Sequence, residues 1–132
     1  MNLRIIGGSS HPQFTKDICQ HLGIPETKIL SKVFSNDNRF VRIENAVRGD
    51  DVFVIQTQAP PVDAHLMELL ILIRTLRDAS AARITAILPY FPYARSDKMN
   101  QPRVCITARL IADLLATAGA DRVLTMELHS PQ

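Results

Sequence analysis

The sequence predicts an α/β fold with a doubly wound, mostly parallel sheet. Short apolar runs rich in β-branched residues alternate with segments whose leucines and isoleucines recur every three or four positions, as expected when strands alternate with helices. The run at residues 52–55 is apolar throughout, which is typical of a central strand covered on both faces. A chain of 132 residues that is 46% hydrophobic is long enough for one domain with a substantial core.

The first elements are a strand, a helix and a hairpin. Residues 3–6 form a short strand ended by two glycines, and the serines at residues 9–10 are candidate caps for a helix that runs to Gly23. Strands at residues 28–33 and 40–43 flank Ser35-Asn-Asp-Asn38, whose residue types favour a turn. The sequence therefore predicts a short antiparallel hairpin beside the parallel sheet.

The predicted helix at residues 62–79 is apolar on most of its circumference. A stripe of leucines and isoleucines is widened by further apolar side chains, Met67, Ile71 and Leu72. Such a helix is buried on more than one side. We expect one side to pack on the sheet and another to contact a partner subunit, so the chain is predicted to form a homo-oligomer, a dimer or higher.

The second half continues the alternation with a strand at residues 83–88, a helix at 107–118 and a strand at 122–128. Gly119 is placed to end the helix. The last strand brings His129 to the carboxyl edge of the sheet, and no covering helix follows in this sequence. We therefore expect the chain to correspond to half of a larger arrangement.

A polar loop at residues 90–98 directly follows the apolar strand at 83–88. In open α/β sheets, ligands bind at the carboxyl ends of the strands. Its tyrosine rings can stack on a base, and Arg95, Lys98 and Arg103 can neutralise phosphate. The loop alone favours a nucleotide site; the alternative is a solvated crossover whose two rings fold back onto the core, with Arg95 an ordinary surface cation.

Composition excludes several classes of protein. A net charge of +2 is too small to indicate nucleic-acid binding. Cys19 and Cys105 lack metal or disulfide spacing, which favours free thiols in a reducing compartment. The start is too short for a signal peptide, and the longest apolar segment, residues 66–73, is too short to cross a bilayer. We expect a cytoplasmic protein that binds neither nucleic acid nor membrane.

Many segments resemble ribose-phosphate diphosphokinase (phosphoribosyl pyrophosphate synthetase) in family order and spacing. These segments are residues 34–35, 47–56, 66–69, 79–81, 83–91, 93–95, 106–109, 121–125 and 128–129. The resemblance spans nearly the whole chain but covers only the family's N-terminal domain. It implies a sheet of phosphoribosyltransferase-like type in a single domain over residues 1–132, with the C-terminal domain that binds ribose 5-phosphate absent.

The family transfers the β,γ-diphosphoryl group of ATP to ribose 5-phosphate with Mg²⁺, in nucleotide biosynthesis. Such chemistry depends on charge neutralisation and in-line positioning. The resemblance implies that this chain contributes the ATP/Mg²⁺ site and carries no catalytic residue. The 132 residues alone would then be inactive, and ribose 5-phosphate would bind only if a second domain were supplied.

The resemblance also assigns site residues. His129 would lie beside the Mg²⁺-triphosphate, although by itself a histidine there would be read as a hydrogen-bonded residue at a strand end. Arg48 and Ser80 would lie near a regulatory phosphate or ADP site between subunits. Adenine would be held by the hairpin turn, reaching into a neighbouring subunit's site, and phosphates by the polar loop. The ATP-binding residues would be Phe34, Asn36, Asn38, Arg95, Ser96 and Asp97.

Departures from the family pattern keep a second function open. The usual Asp-Gly-Glu turn is Asn36-Asp37-Asn38 here, so two carboxylate acceptors have become amides. Phe34 could also be an ordinary core residue. The altered turn favours a non-catalytic nucleotide-binding or regulatory relative that assembles with active synthetases, whereas Arg95 and His129 favour the enzyme. A phosphoribosyltransferase ranks third, because its acidic loop is missing.

Overall fold

The computed structural model describes residues 1–95 and 101–126. Strands and helices alternate along most of the chain, as the sequence predicts. The elements are β1 (Leu3–Gly7), α1 (Pro12–Leu22), β2 (Ile29–Val33), β3 (Arg39–Ile43), β4 (Asp51–Ile55), α2 (Val62–Asp78), β5 (Arg83–Ile87), α3 (Thr107–Ala118) and β6 (Arg122–Leu124).

The main sheet contains four parallel strands in the order β1-β4-β5-β6, and β2 pairs with β3 as a separate antiparallel hairpin. Successive residues of the strands face opposite sides. One face packs in the larger core with α2 and α3, and the other packs against α1 around Ile5, Cys19 and Ile55. The predicted doubly wound fold with a short hairpin is confirmed.

Helix α2 is covered by the rest of the chain on most of its apolar surface, although Met67 is exposed. It packs against β4 and β5 of the sheet, against β3 of the hairpin and against α3. The side chains of Leu69, Leu72, Ile73 and Leu76 are fully buried. The wide apolar surface of this helix is therefore largely covered by the hairpin and by α3, and it does not by itself require a partner subunit.

The predicted cap of α1 is wrong. The N-cap is His11, whose Nδ1 accepts a hydrogen bond from the backbone N–H of Phe14 at 3.1 Å. The hydroxyls of Ser9 and Ser10 are instead bound to buried acceptors, Glu68 and Gln56. The two serines bind these acceptors rather than the helix end. A buried carboxylate or carboxamide left without a donor costs more free energy than an exposed backbone N–H, which water can satisfy.

The last strand is shorter than the predicted 122–128. It ends at Leu124, because its partner strand β5 ends at Ile87, which is paired with Leu124. Residues 127–128 of the predicted strand lie outside the described residues. Within the described part of the chain, no helix is both long and apolar enough to cross a membrane.

Candidate functional site

The carboxyl ends of the parallel strands meet at one edge of the sheet, and the loops that follow them form the candidate site. Backbone hydrogen bonds extend the strand pairing into these loops, from Gly8 to Ile55 at 2.9 Å and from Gln56 to Ile87 at 3.1 Å. Leu88 and Phe91 are buried and anchor the loop after β5 in the core. The start of this loop is therefore fixed relative to the sheet.

Arg95 ends the described part of that loop. It is exposed, in a turn at residues 92–95. Its guanidinium forms no hydrogen bond or ion pair with any residue in 1–95 or 101–126. An exposed guanidinium without a carboxylate partner is available to bind an anion. Two other candidates on this loop, Ser96 and Asp97, lie outside the described residues.

The two tyrosines of the loop do not fold back onto the core. Tyr90 is 54% exposed, and Tyr93 is also exposed. The hydroxyl of Tyr93 donates a hydrogen bond to the carboxylate of Asp63 in the first turn of α2, and this bond raises the pKa of Tyr93. Tyr93 therefore ties the loop to α2, and Tyr90 remains available to contact a ligand.

Phe34 is not a core residue. It lies where β2 enters the hairpin turn and is 45% exposed. Its ring centroid is 6.0 Å from that of Phe40, and the Nζ of Lys32 lies 5.2 Å from the Phe34 centroid. An exposed ring supported by a second ring offers a surface on which a planar base can stack.

The turn itself is held by backbone hydrogen bonds and by one side chain. Phe34 donates its backbone N–H to the carbonyl of Asn38 at 2.7 Å, and Asp37 has a left-handed backbone with φ 66°. The Oδ1 of Asn36 accepts the backbone N–H of Asn38 at 3.2 Å. The Asn36 carboxamide thus shapes the turn, whereas Asn38 is exposed and presents its side chain to solvent.

The adenine and phosphate candidates are not in direct contact. No hydrogen bond, ion pair or ring contact joins the hairpin turn to the loop at residues 88–95 within the described parts of the chain. The two groups of residues lie on separate supports, the hairpin and the sheet edge. Within one chain the two groups of candidate residues are therefore separate.

The described residues do not by themselves fit a Mg²⁺ site. In 1–95 and 101–126 there is no group of three or more histidine, cysteine, aspartate or glutamate side chains that could hold a metal ion. Mg²⁺ prefers oxygen ligands and keeps several waters, so phosphate oxygens can supply what the protein does not. The metal candidate His129 lies outside the described residues.

Arg48 and Ser80 are brought together, at the opposite edge of the sheet. They lie in the turns that precede β4 and β5, and the backbone N–H of Gly49 donates to the carbonyl of Ser80 at 2.9 Å. Ser80 has a left-handed backbone, with φ 68°, and Arg48 is exposed. Their location separates them clearly from the carboxyl-edge loops.

A buried polar cluster at the carboxyl edge was not predicted from the sequence. Its centre is Glu68 of α2, which is 0% exposed and is surrounded by Ser9, Ser31, Arg39 and Gln56. The available signal was a single carboxylate inside the apolar stripe of a helix. A buried charge requires partners, so a lone carboxylate within such a stripe indicates a buried polar cluster.

A doubly wound α/β domain with a polar loop at its carboxyl edge defines a class of ligand-binding domains. Residues 3–119 match the family described as the N-terminal domain of ribose phosphate pyrophosphokinase. This chain therefore belongs to the ribose-phosphate pyrophosphokinase family of transferases, as its N-terminal domain.

Individual relatives agree with this assignment. A ribose-phosphate pyrophosphokinase from Deinococcus radiodurans is 48% identical over 130 residues, which are 98% of this chain and 41% of that protein. One from Clostridium perfringens is 49% identical over 131 residues, 99% of this chain and 41% of that protein. The chain thus spans about two fifths of the length of these curated relatives.

The fold has a close counterpart among solved structures. The crystal structure of phosphoribosylpyrophosphate synthetase from Mycobacterium smegmatis superposes with a TM-score of 0.98 at 45% identity. The match covers 100% of this chain and 44% of that one. The resemblance stated from the sequence is confirmed.

Proposed function

We propose that this chain supplies the ATP site of a cytoplasmic ribose-phosphate pyrophosphokinase that serves nucleotide biosynthesis. The whole enzyme would transfer the diphosphoryl group of ATP to ribose 5-phosphate, with Mg²⁺. The observation that carries this proposal is Arg95, an exposed cation that pairs with no carboxylate of residues 1–95 or 101–126 and that lies on a loop anchored in the core at the carboxyl edge.

The residues of this chain bind and orient ATP. Arg95 neutralises the triphosphate, with Ser96 and Asp97 beside it. In the reaction, the anomeric hydroxyl oxygen of ribose 5-phosphate would bond to the β-phosphorus and lose its proton to solvent, while the bond between that phosphorus and the α,β-bridging oxygen breaks and AMP leaves with that oxygen. This displacement needs charge neutralisation and alignment rather than a covalent intermediate. The domain would supply a cation, Arg95, and a loop after β5 that is fixed to the core.

The adenine is held by the hairpin turn of a neighbouring subunit. Phe34 stacks on the base, and the amides of Asn36 and Asn38 lie at its edge. Within one chain, the hairpin turn and the loop that carries Arg95 are separate. This separation supports the arrangement, because an exposed hairpin turn is free to reach another subunit. The site is complete only when two chains meet.

Bound Mg²⁺ would supply further neutralisation of the phosphate charge, held mainly by phosphate oxygens and water. His129 would be the residue of this chain that completes such a shell or hydrogen-bonds to the phosphates. At the opposite edge of the sheet, Arg48 and Ser80 form a regulatory site for phosphate or ADP. The proximity of their two turns supports this second site.

Calorimetric titration of Mg²⁺-ATP into Arg95→Ala tests the proposal. Removing one charge-assisted phosphate contact is expected to weaken binding by about 1.5–3 kcal/mol. Arg42→Ala is the matched control, because Arg42 is an exposed arginine on β3 that pairs with Glu44. The control variant should bind ATP as the unmodified chain does.

Unchanged affinity in Arg95→Ala would place the nucleotide elsewhere and contradict the proposed site. The altered turn favours the second candidate function, a non-catalytic relative that binds nucleotide and assembles with active synthetases. Adding a C-terminal domain from a relative distinguishes the two, because the enzyme forms phosphoribosyl pyrophosphate and the non-catalytic relative does not.

A further inference from the structure

We propose that Glu68 is a positioning residue for the nucleotide base: it fixes the hairpin that carries Phe34 relative to the loops at the carboxyl edge. This inference rests on the proposed ATP site and adds to it a residue on α2 that is fully buried. Glu68 touches no nucleotide and acts through Arg39 and Ser31.

One carboxylate oxygen of Glu68 binds both strands of the hairpin. Its Oε2 accepts the hydroxyl of Ser31 on β2 at 2.6 Å and Nη1 of Arg39 on β3 at 3.1 Å. The same Nη1 donates to the hydroxyl oxygen of Ser31 at 3.1 Å. Arg39 is the first residue after the hairpin turn at residues 34–38, so this contact lies next to the turn.

The other carboxylate oxygen binds the loops after β1 and β4. Its Oε1 accepts the backbone N–H and the hydroxyl of Ser9 at 2.9 and 2.8 Å. It also accepts the carboxamide of Gln56 at 2.7 Å. Gln56 in turn accepts the hydroxyl of Ser10 at 2.6 Å. A single carboxylate therefore links the hairpin to the carboxyl edge.

These bonds provide the polar attachment of the hairpin. Within residues 1–95 and 101–126, Ser31 and Arg39 make the side-chain hydrogen bonds that connect β2 and β3 to another helix or strand, and both reach Glu68. The apolar contacts of the hairpin with the core come from Ile29, Val41 and Ile43; Val41 is paired with Ser31, and Ile29 and Ile43 are farther from the turn along the strands. Apolar packing is non-directional. The Glu68 contacts are therefore best placed to fix the direction of the turn.

Glu68 remains ionised despite its burial. Burial alone would raise the pKa of Glu68, but hydrogen bonds from Ser31, Ser9 and Gln56 outweigh it, and the pKa is lowered. A buried carboxylate contributes little to stability beyond what an apolar side chain of similar size provides. What it adds is a set of fixed bond directions, and here those directions hold the hairpin that carries Phe34 against the loops after β1 and β4 of its own chain.

The test compares Glu68→Gln and Arg39→Met with matched changes in an exposed ion pair formed by Arg42 of β3 and Glu44 just after it, Glu44→Gln and Arg42→Met. The pair Arg42–Glu44 has a 3.4 Å contact and side chains 60% and 41% exposed, against 15% and 0% for Arg39–Glu68. Each variant is titrated with Mg²⁺-ATP and with Mg²⁺-tripolyphosphate at a temperature well below its unfolding midpoint. The second ligand has no base and reports the phosphate contacts alone.

We expect Glu68→Gln and Arg39→Met to weaken ATP binding about tenfold, as Phe34→Ala does, since the turn loses its fixed direction. Tripolyphosphate affinity should stay within about twofold of the unmodified chain because Arg95 is untouched. The double variant Phe34→Ala/Arg39→Met should lose less ATP affinity than the two single losses combined, because both changes act on the base contacts of one turn.

Two results would overturn the inference. One is ATP affinity in Glu68→Gln and Arg39→Met equal to that of the Glu44 and Arg42 controls. The other is an equal loss for ATP and tripolyphosphate, which would indicate a general structural role. If Glu68→Gln does not fold, the result for Arg39→Met tests the inference alone. In that variant the Glu68 carboxylate keeps the hydrogen bonds from Ser9, Ser31 and Gln56. Failure of the unmodified chain to bind ATP contradicts the proposed function instead.

Discussion

A side chain on Gly8 would occupy the space of the Gln56 carboxamide. A Cβ built on Gly8 lies 2.3 Å from Oε1 of Gln56, and one on Gly7 lies 2.4 Å from Oγ1 of Thr15. Gln56 is buried and bonded to Ser10 and to the cluster around Glu68, so its carboxamide has little freedom to move away. Glycine is required at both positions because the side chains of Thr15 and Gln56 lie too close to the backbone to leave room for a Cβ.

Gly8→Ala should lower the free energy of unfolding by about 1–3 kcal/mol, because it overpacks a buried site. Urea unfolding of Gly8→Ala, Gln56→Ala and the double variant measures this effect. The truncated Gln56 leaves room for the new methyl group, so Gly8→Ala should be less destabilising in the Gln56→Ala background. Strictly additive losses would show that the two residues do not clash.

Individual residues were predicted well only where their chemistry is local. Arg95 follows a strand in a polar loop, and the sequence correctly places it exposed at the carboxyl edge. Ser9 and Ser10 precede a helix and resemble caps, but their acceptors come from residues 56 and 68. Such long-range pairing has no signature in local spacing, so the cluster around Glu68 became visible only in the structure.

At the scale of elements, paired charges hold the amino ends of the strands in register. Asp51 of β4 lies opposite Arg83 of β5, and its carboxylate accepts two hydrogen bonds from the guanidinium at 3.1 and 2.6 Å. This hydrogen bonding lowers the pKa of Asp51 in spite of partial burial. The hydrogen bonds from Ser31, Ser9 and Gln56 likewise leave the pKa of Glu68 lowered against its burial.

A lowered pKa in the folded chain gives a defined pH dependence of stability. The contribution of Asp51 is complete above the pKa of an unfolded aspartate, about 3.9, and is lost as the pH falls through the lower folded value. The unfolding free energy should therefore decrease below about pH 4, and less steeply in Asp51→Asn. Urea titrations from pH 7 to pH 2.5 measure the two slopes, and parallel slopes would show that the pair does not contribute.

The ends of helices and strands were predicted correctly where nearby residues, such as a glycine after an apolar stripe, signal them. The bounds of α3, Thr107–Ala118, agree with the predicted 107–118, because Gly119 ends the helix after a clear apolar stripe. β6 was predicted too long, since an edge strand extends only as far as its neighbour. The length of an edge strand depends on pairing across the sheet and cannot be determined from its own residues.

At the scale of the whole molecule, self-association stays a prediction, but its expected location changes. The broad apolar surface of α2 is covered by the hairpin and α3. Met67 is exposed on α2, and further large apolar side chains are exposed on α3 and β6, namely Leu110, Leu114, Val123 and Leu124. The division of the chain into one domain equivalent to the N-terminal half of the family also stays a prediction.

The central claim is that ATP binds between the Arg95 loop of one subunit and the Phe34 hairpin of its neighbour. Chains carrying Arg95→Ala and chains carrying Phe34→Ala are co-expressed with two different tags, and mixed assemblies are isolated through both. Each variant alone has a defect in every site. A symmetric mixed dimer has one intact site and one doubly altered site.

Calorimetric titration of Mg²⁺-ATP into the mixed assembly measures the number of high-affinity sites. We expect about one site of unmodified affinity for every two chains, and none in either variant alone. Absence of high-affinity sites in the mixture would contradict a site shared between subunits, and unmodified affinity in both single variants would contradict the site itself.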